Sequence, residues 1–256
     1  MTPGDKSKRR FLIGAGGVSA LLLSGCDRLS ETEWFLKVLR SGNTLNRGVH
    51  RLLGSRSMAQ EFTETDLSPS FRSNGTSMPA GEEYLALAKG GFANWQLEVG
   101  GLVARPVKLG LAELRAMPRR TQITRHDCVE GWSAIGKWTG VQLSRILALV
   151  QPQQNARYAV FYCADAMPGG LTPEYYYESI DIDDAMHPQT ILAYGLNGKD
   201  LPIENGAPLR LRVERQLGYK HAKYVTRIEL VESFAHIGGG KGGYWEDYGY
   251  QWYAGI

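Results

Sequence analysis

Cysteine is scarce in this chain, with three among 256 residues, at positions 26, 128 and 163. So few, and an odd number, exclude a disulfide framework, and each thiol needs its own explanation. No CxxC pair is present, and His50, His187, His221 and His236 are scattered, which argues against zinc. CxxCH and cysteine clusters are also missing, so the chain brings no c-type haem or iron–sulfur centre of its own. No phosphate-binding GxGxxG turn opens a helix. Long apolar runs are absent too. The longest, Phe11 to Leu23, falls short of a membrane span, which excludes a polytopic membrane protein. Charge of one sign is lacking outside the leader: the formal +3 sits in residues 1–25, and the remaining 231 residues hold 25 basic and 25 acidic side chains. A neutral body has no basic field for nucleic acid, so no such partner is expected. What is present is 43% hydrophobic residues, enough for one sizeable core and too many for a disordered or fibrous chain.

The leader reads as an address. Residues 6–26, KSKRRFLIGAGGVSALLLSGC, combine the pair Arg9-Arg10 with a short apolar stretch and small residues. Arg-Arg-Phe-Leu resembles the Tat signal, which exports folded proteins, and Leu23-Ser24-Gly25-Cys26 resembles the bacterial lipobox, whose cysteine takes lipid. Cleavage would leave Cys26 as a lipidated N-terminus on the periplasmic side of the inner membrane. Asp27 resembles the residue that retains some lipoproteins there. The competing reading is an uncleaved signal-anchor helix.

Between residues 27 and 80 strand signals are few. Trp34, Phe35, Val38 and Leu39 follow helical spacing, extended by Leu45, Val49 and Leu52, with Arg40, Arg47, Arg51 and Arg56 alongside. Such an arm either rests on an anionic membrane surface or packs on the main domain. Residues 63–80 read as an extended crossing. Beyond them, Trp95–Val99 alternates like a half-buried strand, Leu111–Met117 is a short helix stopped by Pro118, and Leu143, Ile146, Leu147 and Val150 mark a helical face. Residues 157–163, 191–196, 209–213 and 224–231 are strand candidates, and glycines 238–243 read as a flexible loop. Short strands with few helices predict a mixed, mostly β, α+β domain.

Chemistry converges on Cys128, in TQITRHDCVEGWSAIGKWTG (121–140), beside Arg125, His126, Asp127 and Glu130. A thiol next to arginine and a protonated histidine ionises more easily. Three readings compete: a buried inert cysteine, a nucleophile paired with His126, and a single thiolate ligand to a metal held mostly by other groups. Residues 210–223 gather Arg210, Arg212, Arg215, Lys220, His221 and Lys223 against Glu214, which is either a solvated surface or a phosphate site.

The run RHDCVEGWSAIGKWTGVQLSRIL, together with DDAMHPQTILAYGLNGKDLPIENGAPLRLRV, resembles the sulfite oxidase family of molybdopterin enzymes from about Phe71 to Glu232. The likeness is closest to the haem-free bacterial branch that includes the catalytic subunit of periplasmic methionine-sulfoxide reductase. It implies a sulfite-oxidase-type fold, a molybdenum–molybdopterin cofactor and a Cys128 thiolate on molybdenum. Cofactor contacts are implied at Asn74, Asn205, Arg210 and the stretch His221-Ala222-Lys223. Cys163 falls where the branch has a threonine near the cofactor, and is either a contact or a small core filler. Sulfite oxidases proper have arginine directly before the asparagine. Here Ser73 fills that slot and Arg72 precedes it, a step that in a strand would reverse the side chain and argue against sulfite.

The expected organisation is therefore a signal peptide (1–25), a membrane-proximal arm (26–70), a molybdopterin-binding oxidoreductase domain (71–235) and an aromatic tail (236–256). The tail either caps the site, docks a partner or folds back on the core. The expected function is two-electron oxo transfer, with electrons exchanged through a cytochrome or a quinone-linked membrane subunit. The alternative is an inactive, lipid-anchored binding protein that keeps the fold. Asp181, Asp183, Asp184 and His187 fit a helix start better than a cation loop.

Overall fold

The computed structural model describes residues 32–54, 57–167 and 174–256. The leader, with its twin arginines and Cys26, lies outside them. The chain divides into two compact units, Met1–Gly54 and Ser55–Ile256. The described part of the first is helix α1, Glu33–Gly54, where the helical spacing predicted it.

The second unit is α+β, built on two five-stranded sheets. One runs β2 (Val107–Gly110), β1 (Gln96–Gly101), β10 (Val225–Val231), β5 (Tyr158–Met167), β6 (Glu174–Asp181). Within it β1 lies parallel to β10, with Val99 opposite Ile228, and the other pairs are antiparallel. Leu97 and Val99 face the core while their neighbours face out, as the alternation predicts. β1 can end against β10 because Gly101 sits at φ +80°, where a Cβ would lie 2.3 Å from the Leu230 carbonyl oxygen.

The other sheet runs β3 (Arg119–Asp127), β4 (Ser133–Gln142), β7 (Ile191–Leu196), β8 (Lys199–Asp200), with β9 (Arg210–Arg212) also paired to β7. Residues 57–70 attach to this sheet: the Phe62 amide donates to the Ile123 carbonyl and Ser68 to that of Ile135. Helix α2 is Glu82–Lys89 and α3 is Leu111–Ala116. Helix α4 (Leu143–Val150) buries all four side chains of its expected face completely, each contributing roughly 1.5–3 kcal/mol. Helix α5 (Ile182–Met186) starts at Asp181, whose carboxylate accepts the Asp184 amide at 2.9 Å, so the acidic cluster is a helix cap. A four-residue helix α6 (Tyr244–Asp247) lies in the tail.

The main core spans the first sheet, α4 and the inner residues of β9. A smaller cluster around Trp138, Ile191 and Leu196 packs against Phe71, whose ring meets that of Trp138 edge-on at 4.9 Å. The site is placed by β3 and β4. They form a hairpin in full register from Arg119–Val141 to Asp127–Ser133, and the five residues Cys128–Trp132 are its tip.

Candidate functional site

At that tip the Cys128 amide donates to the Trp132 carbonyl (2.9 Å) and the Gly131 amide to that of Cys128 (3.0 Å), closing a tight loop. Gln122, Thr124 and His126 are the buried positions of β3, and Cys128 continues their face one step beyond the strand. Cys128 lines a cleft with about 750 Å³ of free space, counting the part open to solvent. The remaining walls are Asn74–Thr76, the β5 end at Asp165 and Met167, Tyr176 of β6, the turn Gly218–Tyr219 with His221 and Lys223, and the tail rings Trp245 and Tyr250.

The expected easy ionisation of Cys128 is not what this environment gives. Burial pushes the thiol up, the Glu130 carboxylate adds to the rise, and the Glu130 backbone amide and Arg72 only partly offset them. His126 supplies no positive charge, since burial and Arg212 hold it neutral. Arg125 is engaged with Asp127 at 2.9 Å. A thiol of this kind stays protonated until something strongly electropositive binds it, as a metal ion does. Among the described residues no group of three or more His, Cys, Asp or Glu is arranged to hold a metal ion. The described residues alone therefore offer a metal at Cys128 few of the donor atoms it needs.

The basic stretch is buried, not solvated. Arg212 forms two hydrogen bonds to Glu214, at 2.9 and 2.5 Å, and a third to His126 Nδ1. Arg215 pairs with Asp184, and Lys220 with Glu178 and Glu246. Arg210 and Lys223 form no ion pair among the described residues. Arg210 donates to the carbonyls of Asn205 (2.9 Å) and His221 (3.3 Å), and Lys223 to those of Asn74 (2.7 Å), Thr76 and Glu204. Burial lowers Arg210 to about 9, with Arg212 adding to the fall, and Lys223 to about 7, with Arg210 adding; Glu214 near the first and Asp165 and Glu204 near the second only partly oppose it. Two buried cations without carboxylate partners make an anion site.

The neighbouring polar atoms complete the picture. Asn74 Oδ1, Asn205 Nδ2, Arg210 Nε and His221 Nδ1 are buried with no hydrogen-bond partner in the protein. His221 Nε2 lies 3.0 Å from the Gln216 carbonyl, which can only accept, so Nε2 carries the proton and Nδ1 is a bare acceptor. Such unpaired groups are costly unless a ligand meets them. Gly206, at φ +110°, lets Lys223 lie close: a Cβ there would be 2.9 Å from that of Lys223.

Of the residues singled out in the sequence, Asn74, Cys128, His221 and Lys223 line the cleft. Asn205 and Arg210 stand behind them, joined to its wall through the hydrogen bonds above. Cys163 is in the main core, with its thiol raised well above the usual value by burial, and is outside the cleft lining. Arg72 corrects the alternation argument. Residues 71–74 are not a strand, and the Arg72 guanidinium lies over the Trp132 ring at 5.3 Å, close enough to influence Cys128. Sequence reasoning missed Asp165. It is buried, has an unpartnered Oδ1, and is pushed up to about 6 by burial despite Lys223. The tail folds back on the body and also lines the cleft with Trp245 and Tyr250, which stack at 5.4 Å. Its glycines form a packed turn, not a flexible loop: a Cβ on Gly238 would lie 2.4 Å from the Tyr177 hydroxyl.

The family described as the oxidoreductase molybdopterin binding domain matches residues 86–236. The chain belongs to this family. A relative in Azospira oryzae, provisionally named a protein-methionine-sulfoxide reductase subunit, YedZ1, is 45% identical over 163 residues, covering 64% of this chain and 56% of its own. The chain thus spans about half the length of that curated relative. The sulfane dehydrogenase SoxCD of Paracoccus pantotrophus aligns with a TM-score of 0.49 at 23% identity, over 55% of this chain and 39% of that one. For a molybdopterin-binding domain the residues in place fit the cofactor. A buried single thiol, two cations with no carboxylate ion-pair partner and a set of unmet donors and acceptors suit a metal carried by a phosphorylated, nitrogen-rich heterocycle.

Proposed function

We propose that this protein is the catalytic subunit of a molybdenum oxidoreductase that moves an oxo group to or from a small substrate, with Cys128 as the protein's ligand to molybdenum. The observation that carries the reading is the pairing of one cleft thiol with two buried cations, Arg210 and Lys223, that bond only to carbonyl oxygens and to no carboxylate. Asn74, Asn205, Arg210, His221 and Lys223 would hold the pterin and its phosphate, with Cys163 in the core behind them. When bound, the cofactor supplies two-electron oxo transfer at the metal. The chain's own part is to fix that centre, to shield it with Trp245 and Tyr250, and to take up a proton at Asp165 in mildly acidic conditions, its carboxyl being raised to about 6 by burial.

The likeness to a relative named for methionine sulfoxide supports reduction of S-oxides, in which sulfoxide, two electrons and two protons give thioether and water. That relative's name also marks it as a subunit, which supports a separate electron partner here, of cytochrome or quinone-linked membrane type. The leader supports export by Tat and lipid attachment at Cys26, placing the chain on the periplasmic side of the inner membrane.

Metal analysis of the protein purified from its native host is the test, with an expected result of about one molybdenum per chain. Absence of molybdenum in a host that makes the cofactor would sink the proposal and leave an inactive binding lipoprotein. Cys128→Ser is expected to abolish reduction of S-oxides by a dye donor while keeping much of the pterin, read by its fluorescence after release. A wild-type rate in that variant would remove Cys128 from the centre.

A further inference from the structure

Helix α1 carries an apolar stripe that is left exposed. Trp34, Val38, Leu45, Val49 and Leu52 are 60%, 54%, 69%, 50% and 84% exposed. At about 100° per residue their spacings of four, seven, four and three place all five within an arc of roughly 60°. The stripe therefore runs the length of a helix of 22 residues, about 33 Å. A solvated helix has no use for such a seam, and five large side chains in line are a contact surface.

The charge of the helix selects the partner. Lys37, Arg40, Arg47 and Arg51 stand against Glu33 alone, giving the helix a net +3 while the rest of the chain from residue 26 carries a net −3. No helix of the described residues is long and apolar enough to cross a membrane, so α1 is not a span. A strong apolar stripe, a basic complement and a tryptophan near one end are what a helix needs to lie in the plane of a bilayer surface. Cys26 is seven residues before Glu33, so a lipid there would hold the first turn of α1 against the headgroups.

We propose that α1 is an in-plane membrane helix, its Trp34–Leu52 stripe seated at the headgroup–acyl boundary of an anionic leaflet. It is a second attachment beside the Cys26 lipid, and fixes the chain that leaves it at Gly54 to the membrane surface. The proposal rests on export and lipidation at Cys26, which bring the helix to the bilayer.

The test uses the mature protein from its native host in vesicles of phosphatidylcholine with one third phosphatidylglycerol, with and without bromine on the acyl chains. The Trp34 emission is the difference between wild type and Trp34→Phe. Brominated lipid is expected to quench that emission at least about twofold, and less when phosphatidylglycerol is left out. Leu45→Glu/Val49→Glu should lose the quenching while the protein still floats with the vesicles through its lipid. Unquenched Trp34 in a wild-type protein that floats would overturn the proposal and assign the stripe to the protein's own body, a second copy or another subunit. Mass spectrometry of the N-terminal peptide reads the lipid separately. Quenching without lipid would refute the Cys26 reading and keep the helix, and loss of both flotation and quenching refutes the helix whatever the lipid.

Discussion

Lys220 is a residue whose removal the structure makes costly. Its ammonium donates to Glu178 and, at 2.5 Å, to Glu246, and all three side chains are completely buried. The remaining oxygen of each carboxylate, Oε2, has no partner. Burial drives the Glu178 carboxyl well above its usual value, with Lys220 opposing and Glu246 adding to the rise. Burial alone would lower Lys220, yet its two carboxylates outweigh that and hold it above its usual value. One cation thus faces two acids, and burial favours the protonated form of Glu178. The cluster joins three parts of the molecule: Glu178 is on β6, Lys220 in the turn whose Tyr219 lines the cleft, and Glu246 on α6 of the tail.

Lys220→Met keeps the length and removes the charge. Breaking a buried pair typically costs about 3–5 kcal/mol, against a total stability of about 5–15 kcal/mol for a domain. The variant should fold marginally at pH 7, with urea unfolding shifted by that amount and Trp245 and Trp252 reporting a loosened tail. The pH dependence identifies the cause. A carboxyl with a raised folded value stabilises below its unfolded value near 4.5, and that contribution is lost as pH rises through the folded one. The deficit of Lys220→Met should therefore be smallest near pH 5 and grow toward pH 8, while Lys220→Met/Glu178→Gln/Glu246→Gln should recover much of it at every pH. A loss below about 1 kcal/mol at pH 7, or an equal loss at pH 5 and pH 8, would refute the reasoning.

Asp165→Asn, made as cofactor-free protein, should change the pH profile in the opposite sense to a salt-bridged acid. Its carboxyl is raised from 3.8 to about 6, so the wild type loses stability as pH rises through that window, by at most about 3 kcal/mol. Thermal melts should show Asn flat there and more stable above pH 7, and parallel profiles would remove Asp165 from the cleft's proton balance. Gly218→Ala puts a Cβ 2.4 Å from Nε2 of the buried His126, which Arg212 holds in place, so a loss of about 1–3 kcal/mol is expected. A wild-type melting temperature would mean that His126 moves freely.

What was legible in the sequence follows from how each element meets the core. Helix α4 and strand β7 bury aliphatic side chains in simple patterns and were readable almost to the residue. The β3–β4 hairpin was not read as strands, although it carries Cys128. Its inward residues on β3 are Gln122, Thr124 and His126, so the buried face is polar and the alternation of apolar and polar is erased. Strand β6 was lost for a related reason, since Tyr176 through Asp181 are all buried and two of them are acids. The site was legible in its residue types but not in its electrostatics. Nothing local to Cys128 tells that Arg125 is taken by Asp127 and that His126 turns inward to Arg212. Nor does the basic run announce that the acids paired with Arg215 and Lys220 come from positions 184, 178 and 246.

The same electrostatics connect the cofactor to folding. The cofactor-free chain holds Arg210 and Lys223 away from water with carbonyl oxygens as partners and no carboxylate. The depressed values of both show that this arrangement opposes their charge. An anionic ligand that binds the folded chain and not the unfolded one shifts the balance toward the fold, and does so more strongly where it restores the charge of two buried cations. Lys223 sharpens the point. With a folded value of about 7 and an unfolded one of 10.5, the unfolded chain binds more protons between those limits, so the cofactor-free protein gains stability as pH rises through them. Binding of a phosphate would raise Lys223 again and reverse that trend. Loading therefore stabilises the folded chain. If the leader acts as the folded-export signal that Arg9-Arg10-Phe11-Leu12 resembles, loading is expected to precede export, because an anion on Arg210 and Lys223 stabilises the fold that is exported.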